Sequence, residues 1–456
     1  MRILFAAHQF FPEHYAGVEI VTLGLAQELR ARGHETFVLA PKRSIPGNNI
    51  EPGEIEDYEF GGVPVRRVGR PKEGVLRSYR LNYENEVMAR RAREYMREVR
   101  PDVVHAEHFQ GLSTSVIPAI KEYGAPLVYT ATDFWTICPV VDLRRHDGVM
   151  CEGPDLIHCP RCVASRHSGF ITGRLMEAVM DRTPDAALET AGRLSETPLA
   201  KTFPLNQIWA LKERPGYIRE HMEQVDHIVA YTHLMRDLLL ANGIGEGKIG
   251  VSYYGIDTSP ISEVPRNRSL PPPLRIGFIG TLAPHKGCDT LVRAVKSLSQ
   301  ELGATLHIYG NLKRFELFVE ELRKIAGGDE RIDFAGPFPR EKVGWILSEL
   351  DVLVVPSRWY ENQPGVIFEA FAAGMPVVAT DLGGMSEFVR HEENGLLFEL
   401  GNAKDLARQL WRLGEEPGLI EKLRAGIESV KTVEENVDEL EELYNALLDA
   451  EKGQTA

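Results

Sequence analysis

No stretch of this 456-residue chain approaches the roughly 20 consecutive apolar residues that a membrane-spanning helix needs. An integral membrane helix is therefore not expected. Positive charge is in deficit: 52 Lys and Arg face 66 Asp and Glu, a formal net charge of -14. That balance excludes a general nucleic-acid binder, whose affinity rests on neutralised phosphates. Cysteine is scarce, with five in the whole chain, and in a reducing compartment structural disulfides are not expected of them. The opening MRILFAAHQFFP runs straight into a strand-like segment. It lacks the long apolar stretch and small-residue cleavage site of a signal peptide, so a cytoplasmic location is expected. Internal repeats and low-complexity tracts are missing. No Gly-x-Gly-x-x-Gly follows the first strand, which sets aside a dinucleotide-dependent dehydrogenase.

What is present is ordinary globular composition, 43% hydrophobic and 26% charged. The length exceeds one ordinary core, so two domains are expected. Both halves alternate β-branched runs with amphipathic stretches, the pattern of an α/β fold with parallel sheets. Ile3 to Ala7 reads as a strand. A glycine-containing loop follows, then a helix with Val21, Leu25 and Leu29 at fourfold spacing, closed by Gly33. Further strands are expected at Thr36–Ala40, Val103–Ala106, Pro126–Thr130 and His227–Tyr231. Pro260, Pro265, Pro271, Pro272 and Pro273 mark a linker at 258–273. Beyond it a new series reads Arg275–Gly280, Thr305–Tyr309, Ile332–Phe334, Val352–Val355, Val377–Thr380 and Gly395–Phe398. A last amphipathic helix carries Val433, Val437, Leu440, Tyr444 and Leu447. The expected domains are 1–258 and 272–425, with the helix at 430–450 outside the second. Ligands of such sheets bind beyond the carboxyl ends of the strands, and a cleft between two such domains is expected.

The chemistry concentrates at Glu361–Glu369, Glu-Asn-Gln-Pro-Gly-Val-Ile-Phe-Glu, just past the strand ending at Val355. Pro364 and Gly365 suit the start of a helix. The amides of Gly365, Val366 and Ile367 then point out of a helix N-terminus that favours a phosphate. Glu369 follows among Ile367, Phe368, Ala370 and Phe371, where a carboxylate needs a partner. Sugar hydroxyls would serve, which together describes a nucleotide-sugar pocket. The plainer alternative makes Glu361 a first-turn acid and pairs Glu369 with a structural arginine.

Other segments carry weaker signals. Gly280–Gly287 leaves the first strand of the second domain, and Lys286 offers a point charge to a diphosphate or is simply a solvated loop lysine. Gly17 lets a backbone amide approach a phosphate, or is a turn glycine. Asp133, at the end of a first-domain strand, accepts from a sugar acceptor with Phe134 or Trp135 stacking on it, or caps a helix beside core aromatics. Cys138, Cys151, Cys159 and Cys162 are four thiols in one segment. They either form a tetrahedral structural zinc site, with His146 and His158 as alternative ligands, or stay unligated. Residues 86–100 form a basic amphipathic helix, either a membrane-touching face or, with its interrupting glutamates, a solvated one.

Taken together, these residues resemble the family 4 glycosyltransferases. The pieces stand in family order: Gly17-Val18-Glu19, Gly33-His34-Glu35, Pro101 to His105, Gly255-Ile256-Asp257, Lys286-Gly287, Glu361 with Glu369, Ala373 to Gly384, Glu387 and Asn394-Gly395. The resemblance implies the GT-B architecture, two facing Rossmann-like domains with the C-terminal helix crossing back to the first. It implies transfer of a sugar from a nucleotide diphosphate sugar to a hydroxyl acceptor, a glycan, lipid-linked glycan or small molecule, with retention and without a catalytic metal. Glu369 would hold the donor ribose. Glu361 and the amides of Gly365 to Ile367 would hold the sugar and phosphates. Lys286 would neutralise the leaving diphosphate, Gly17 would approach it, and Thr281 would line the donor site. Lys286, Glu361 and Asp133 are the expected catalytic residues, and a peripheral contact with the inner face of a membrane is a further expectation.

Three positions depart from the family pattern. Thr281 stands where an arginine is common, Thr132 where a histidine often precedes Asp133, and Tyr254 where Asn precedes Gly255. About 138–215 forms a Cys-rich insertion, an expected acceptor-facing lid. Two other activities fit the same residues: a nucleotide-sugar epimerase of this fold, or a nucleotide-sugar-binding protein without catalysis.

Overall fold

A computed structural model describes all residues except 15, 43–49, 71–78, 167–170, 196, 198–204, 263–273 and 456. The chain divides into two units, Met1–Tyr253 with Val433–Ala456, and Tyr254–Thr432.

The first unit is built on an eight-stranded sheet. Its strands are β1 (Arg2–Ala6), β2 (Glu35–Lys42), β3 (Ile55–Phe60), β4 (Val63–Gly69), β5 (Val103–Ala106), β6 (Leu127–Ala131), β7 (His227–Ala230) and β8 (Ile249–Val251). Their order is β3-β4-β2-β1-β5-β6-β7-β8. All neighbours run parallel except the β3–β4 hairpin. The sheet is buried because helices flank it, and β5 and β6 are accordingly buried at every position. The helix Gly17–Ala31 lays Thr22, Leu25, Ala26 and Leu29 inward at helical spacing. Between β6 and β7 the described residues form four helices, His158–Arg166, Ile171–Arg182, Asp185–Leu194 and Leu205–Met222. The expected insertion lies there, partly outside the described residues.

The helix Val433–Thr455 belongs to this unit. Val437, Leu440 and Tyr444 enter the core with Ile3, Phe5 and Leu29. The Tyr444 hydroxyl lies 2.5 Å from His105 Nδ1. At the surface, Arg32 reaches Asp438 and Glu441 at 2.5 and 2.7 Å.

The second unit carries six parallel strands. They are β9 (Arg275–Ile279), β10 (Thr305–Tyr309), β11 (Ile332–Gly336), β12 (Val352–Val355), β13 (Val377–Thr380) and β14 (Gly395–Phe398). Their order is β11-β10-β9-β12-β13-β14. Numbered within the unit this is 3-2-1-4-5-6, the doubly wound order whose chain reverses direction between its first and fourth strands. That reversal falls between β9 and β12. Asp351 fixes the pair there with a two-pronged bond to the Arg275 guanidinium at 2.6 and 2.9 Å. Of the expected linker, Ser259–Ser262 is a short helix, and 263–273 lie outside the described residues.

Candidate active site

Two loops leave the carboxyl ends of β9 and β12 side by side, so the fold alone brings Lys286 to Glu361. Lys286 closes a short 3-10 turn, Pro284–Lys286. Gly287 follows at φ +68, and a Cβ there would stand 1.9 Å from the Pro356 carbonyl oxygen. Only glycine lets the two loops approach so closely. Lys286 Nζ lies 2.6 Å from Glu361 Oε1, and Ser357 Oγ donates to the same oxygen at 2.6 Å. The lysine also sits over the Trp359 ring, 5.1 Å from its centroid, a cation–π contact. Burial pushes the Glu361 carboxyl up. The Lys286 charge and the hydrogen bonds outweigh it and hold the group below its ordinary value. Glu361 is thus a buried carboxylate, ionised and aimed. Arg358 ties the β12 loop to the helix after Gly287 through Asp289 at 2.7 Å and Thr290 at 2.6 Å.

Pro364 caps the helix Gly365–Ala372. A Cβ on Gly365 would meet the Tyr254 hydroxyl at 2.9 Å. Tyr254, one of the departures, is gripped by Gln363 through backbone bonds of 2.8 Å in both directions. One expectation needs correction. The Ile367 amide already donates to the Pro364 carbonyl at 3.0 Å, because the first turn closes early. Gly365 and Val366 remain as the amides that the helix start presents. Glu369 does have an arginine partner: Arg340 Nη1 stands 3.1 Å from its Oε1. Burial still raises the Glu369 carboxyl, with Arg340 opposing. Thr281 is half-buried in the β9 loop, its carbonyl accepting from Ala283 at 2.9 Å.

In the first unit, Gly17 opens its helix and is exposed, with nothing within 4 Å of an added Cβ and no positive φ. The fold of the unit therefore does not require glycine at this position. Asp133 follows β6. Its Oδ1 accepts from the Trp135 amide at 2.8 Å and its Oδ2 lies 2.5 Å from His108 Nε2. Phe134 and Trp135 are 3% and 1% exposed. Neither is available to stack on a ligand, because both belong to the interior of the unit.

Cys138, Cys151, Cys159 and Cys162 are free thiols lining one small cavity with Asp155 and His158. Burial raises all four. Among the described residues, however, no group of three or more His, Cys, Asp or Glu side chains is set to hold a metal ion. The zinc expectation has no support in this geometry, and His146 and His158 lie ring to ring at 6.0 Å instead. The basic helix, Glu86–Val99, buries Met88, Ala89, Ala92, Tyr95, Met96 and Val99. Arg91 pairs with Glu94, and Arg93 with Glu86 and Glu122. This is the solvated-face alternative, with its apolar stripe in the core. Among the described residues no helix is long and apolar enough to cross a membrane.

Sequence reasoning missed Ser357, Trp359, Arg340 and His108. Arg340 and His108 meet Glu369 and Asp133 from distant parts of the chain. Only Ser357 and Trp359, beside Glu361, were within reach of a local reading.

Comparison with known proteins fits this geometry. Two family models match: glycosyl transferases group 1 over residues 273–416 and glycosyltransferase family 4 over residues 15–148. The chain belongs to the family 4 glycosyltransferases, and its fold is GT-B. Among curated relatives it is 29% identical over 219 residues to the amylovoran biosynthesis glycosyltransferase AmsK of Erwinia amylovora, covering 44% of this chain and 52% of that protein. The chain spans about half the length of the first curated relatives it matches, 52% and 45%. Solved structures match throughout. Sucrose-phosphate synthase from Thermosynechococcus elongatus has a TM-score of 0.63 at 17% identity, covering 98% of this chain and 99% of that one. Anabaena HepE in complex with UDP has 0.63 at 18% identity, covering 98% and 100%.

Proposed function

We propose that this protein transfers a sugar from a nucleotide diphosphate sugar to a hydroxyl acceptor with retention of configuration. The carrying observation is the Lys286–Glu361 pair at the strand reversal of the second unit, 2.6 Å apart. It stands on loops that also bear a helix start, Gly365 and Val366, and a second acid, Glu369. The bond between the anomeric carbon and the diphosphate oxygen breaks, a bond to the acceptor oxygen forms, and the acceptor proton leaves with the diphosphate. Negative charge grows on that diphosphate, and Lys286 with the Gly365 and Val366 amides supplies the opposing charge. In this reading that charge comes from the protein, so the transfer step needs no metal. Glu361, already ionised, accepts from sugar hydroxyls. Glu369 accepts from the donor ribose, with Arg340 holding one of its oxygens. Gly17 leaves room for a backbone approach to the diphosphate, which explains a glycine that its own unit does not demand.

HepE is a protein of this fold whose structures hold UDP and UDP-glucose, which supports a uridine diphosphate sugar as the first donor to test. Thermal-shift measurement against UDP, GDP, ADP and TDP sugars tests donor binding. A ligand present at 100 times its dissociation constant stabilises the folded state by about 2.7 kcal/mol. Proton NMR of the transfer product then reads the anomeric configuration. Epimerised donor without acceptor would replace this reading with the epimerase. Donor binding without turnover over a broad acceptor panel would replace it with the silent binding protein.

A further inference from the structure

The first unit repeats the doubly wound order around β1 and β5, and its own strand reversal gathers a set of buried and half-buried polar groups that the donor site does not use. His8 follows β1, His108 follows β5, Asp133 follows β6, and Glu19 stands on the first helix. His108 is 1% exposed. The Gln110 amide donates to its Nδ1 at 2.9 Å. A nitrogen that accepts an N–H carries no proton, so neutral His108 is protonated on Nε2. Nε2 lies 2.5 Å from Asp133 Oδ2, and the histidine therefore donates to the carboxylate. Asp133 Oδ1 is fixed by the Trp135 amide, and the Thr132 hydroxyl donates to the Glu107 carbonyl at 3.0 Å, joining the two loops. The carboxylate is held at both oxygens, yet its side chain is 29% exposed. Each oxygen keeps a further lone pair for a donor from outside.

We propose that Asp133 and His108 form an acceptor-orienting pair: the Asp133 carboxylate receives the hydrogen bond of the attacking hydroxyl, and His108 is its positioning residue. This rests on the transferase reading and names the class of group the first unit recognises, a hydroxyl. The pair orients the hydroxyl and does not deprotonate it. Burial pushes the Asp133 carboxyl up, but His108 and the Trp135 amide hold it below its ordinary value, so it is a weak base. The other titratable groups around it are His8, whose ring lies 4.6 Å from that of His108, Glu19, 3.5 Å from His8, and Glu107, Tyr129 and Arg214.

Two measurements test the proposal on the full chain. The first needs no substrate. With 15N-labelled histidine, and His108→Gln supplying the assignment, NMR is expected to show His108 protonated on Nε2 and without a proton on Nδ1. A ring carrying its proton on Nδ1 overturns the pair. The second uses UDP-glucose as donor probe, or whichever nucleotide sugar the thermal screen selects, with alkyl glucosides as hydroxyl probes. His108→Phe is expected to lower transfer by about tenfold or more, the scale of losing an outer partner of a working group. It should move the acid limb of the pH profile upward, because the carboxylate loses the donor that kept its proton off. His108→Gln, which keeps an N–H, should recover part of both. Donor affinity should stay within about twofold of wild type. A folded His108→Phe protein with unchanged acid limb and unchanged acceptor KM overturns the proposal. A failure of every nucleotide sugar to bind would count against the transferase reading and leave the NMR result to decide the pair.

Discussion

The two units share the doubly wound order of their central parallel strands and differ in what stands at the reversal point. In the second unit, β9 and β12 deliver a cation and an anion, Lys286 and Glu361, fixed 2.6 Å apart. In the first, β1, β5 and β6 deliver two histidines and a carboxylate, His8, His108 and Asp133. The same scaffold thus presents one seat suited to a charged diphosphate and another suited to an uncharged, hydrogen-bonding group. Strand topology sets where a ligand sits, and the loop residues set its charge class.

Four variants sharpen or break that contrast. Lys286→Ala should have the largest effect, a loss of turnover of ~10²-fold or more, the scale of removing one electrostatic donor. It also strands Glu361 in a buried site with Ser357 for company. Steady-state kinetics with the identified donor checks it, and near-wild-type turnover would erase the asymmetry between the units. Gly287→Ala comes next. Its Cβ would meet the Pro356 carbonyl at a positive φ, so stability should fall by about 1–3 kcal/mol, read by denaturant melts. An unchanged midpoint would mean that the β9 and β12 loops are not locked together.

Glu361→Gln probes the pH arm. The folded carboxyl lies below its ordinary value of 4.5. Its stabilising contribution is therefore complete above pH 4.5 and lost as pH falls through the lower folded value. The variant should lose stability at neutral pH and show a shallower decline below pH 4.5 than wild type. Parallel curves would contradict the ionised, paired carboxylate. The smallest stability effect belongs to Gly17→Ala, expected within about 0.5 kcal/mol of wild type, since no atom stands in the way. Its turnover should fall nonetheless. A glycine that can be replaced without loss of stability or rate would have no part in donor binding.

Much of the fold could be read from the chain. β12, β13 and β14 were placed residue for residue, because strands covered on both faces appear as continuous apolar runs bounded by turns. The β3–β4 hairpin was missed. Ile55–Phe60 is an edge strand in which Glu56, Asp57 and Glu59 interrupt Ile55, Tyr58 and Phe60 and no position is buried, so it lacks the apolar run. Its turn did carry a signal, Gly61-Gly62, both at positive φ, the pairing favoured in two-residue hairpins. The proposed donor seat was legible because Glu361, Gly365 and Glu369 fall within nine consecutive residues. The proposed hydroxyl seat was not, because His8 and Glu19, His108, and Asp133 follow three different strands and meet through the order of β1, β5 and β6. Arg340 escaped because it lies 29 residues from its partner Glu369, beyond any local motif.

The central claim is that Lys286 and its carboxylate partner grip an activated sugar. Calorimetric titration of UDP-glucose, or of the nucleotide sugar chosen by the thermal screen, into wild type and Lys286→Ala tests it most directly. Saturable one-to-one binding to the native chain, weakened at least tenfold by the substitution, is the result expected. Equal affinity in both proteins would contradict it.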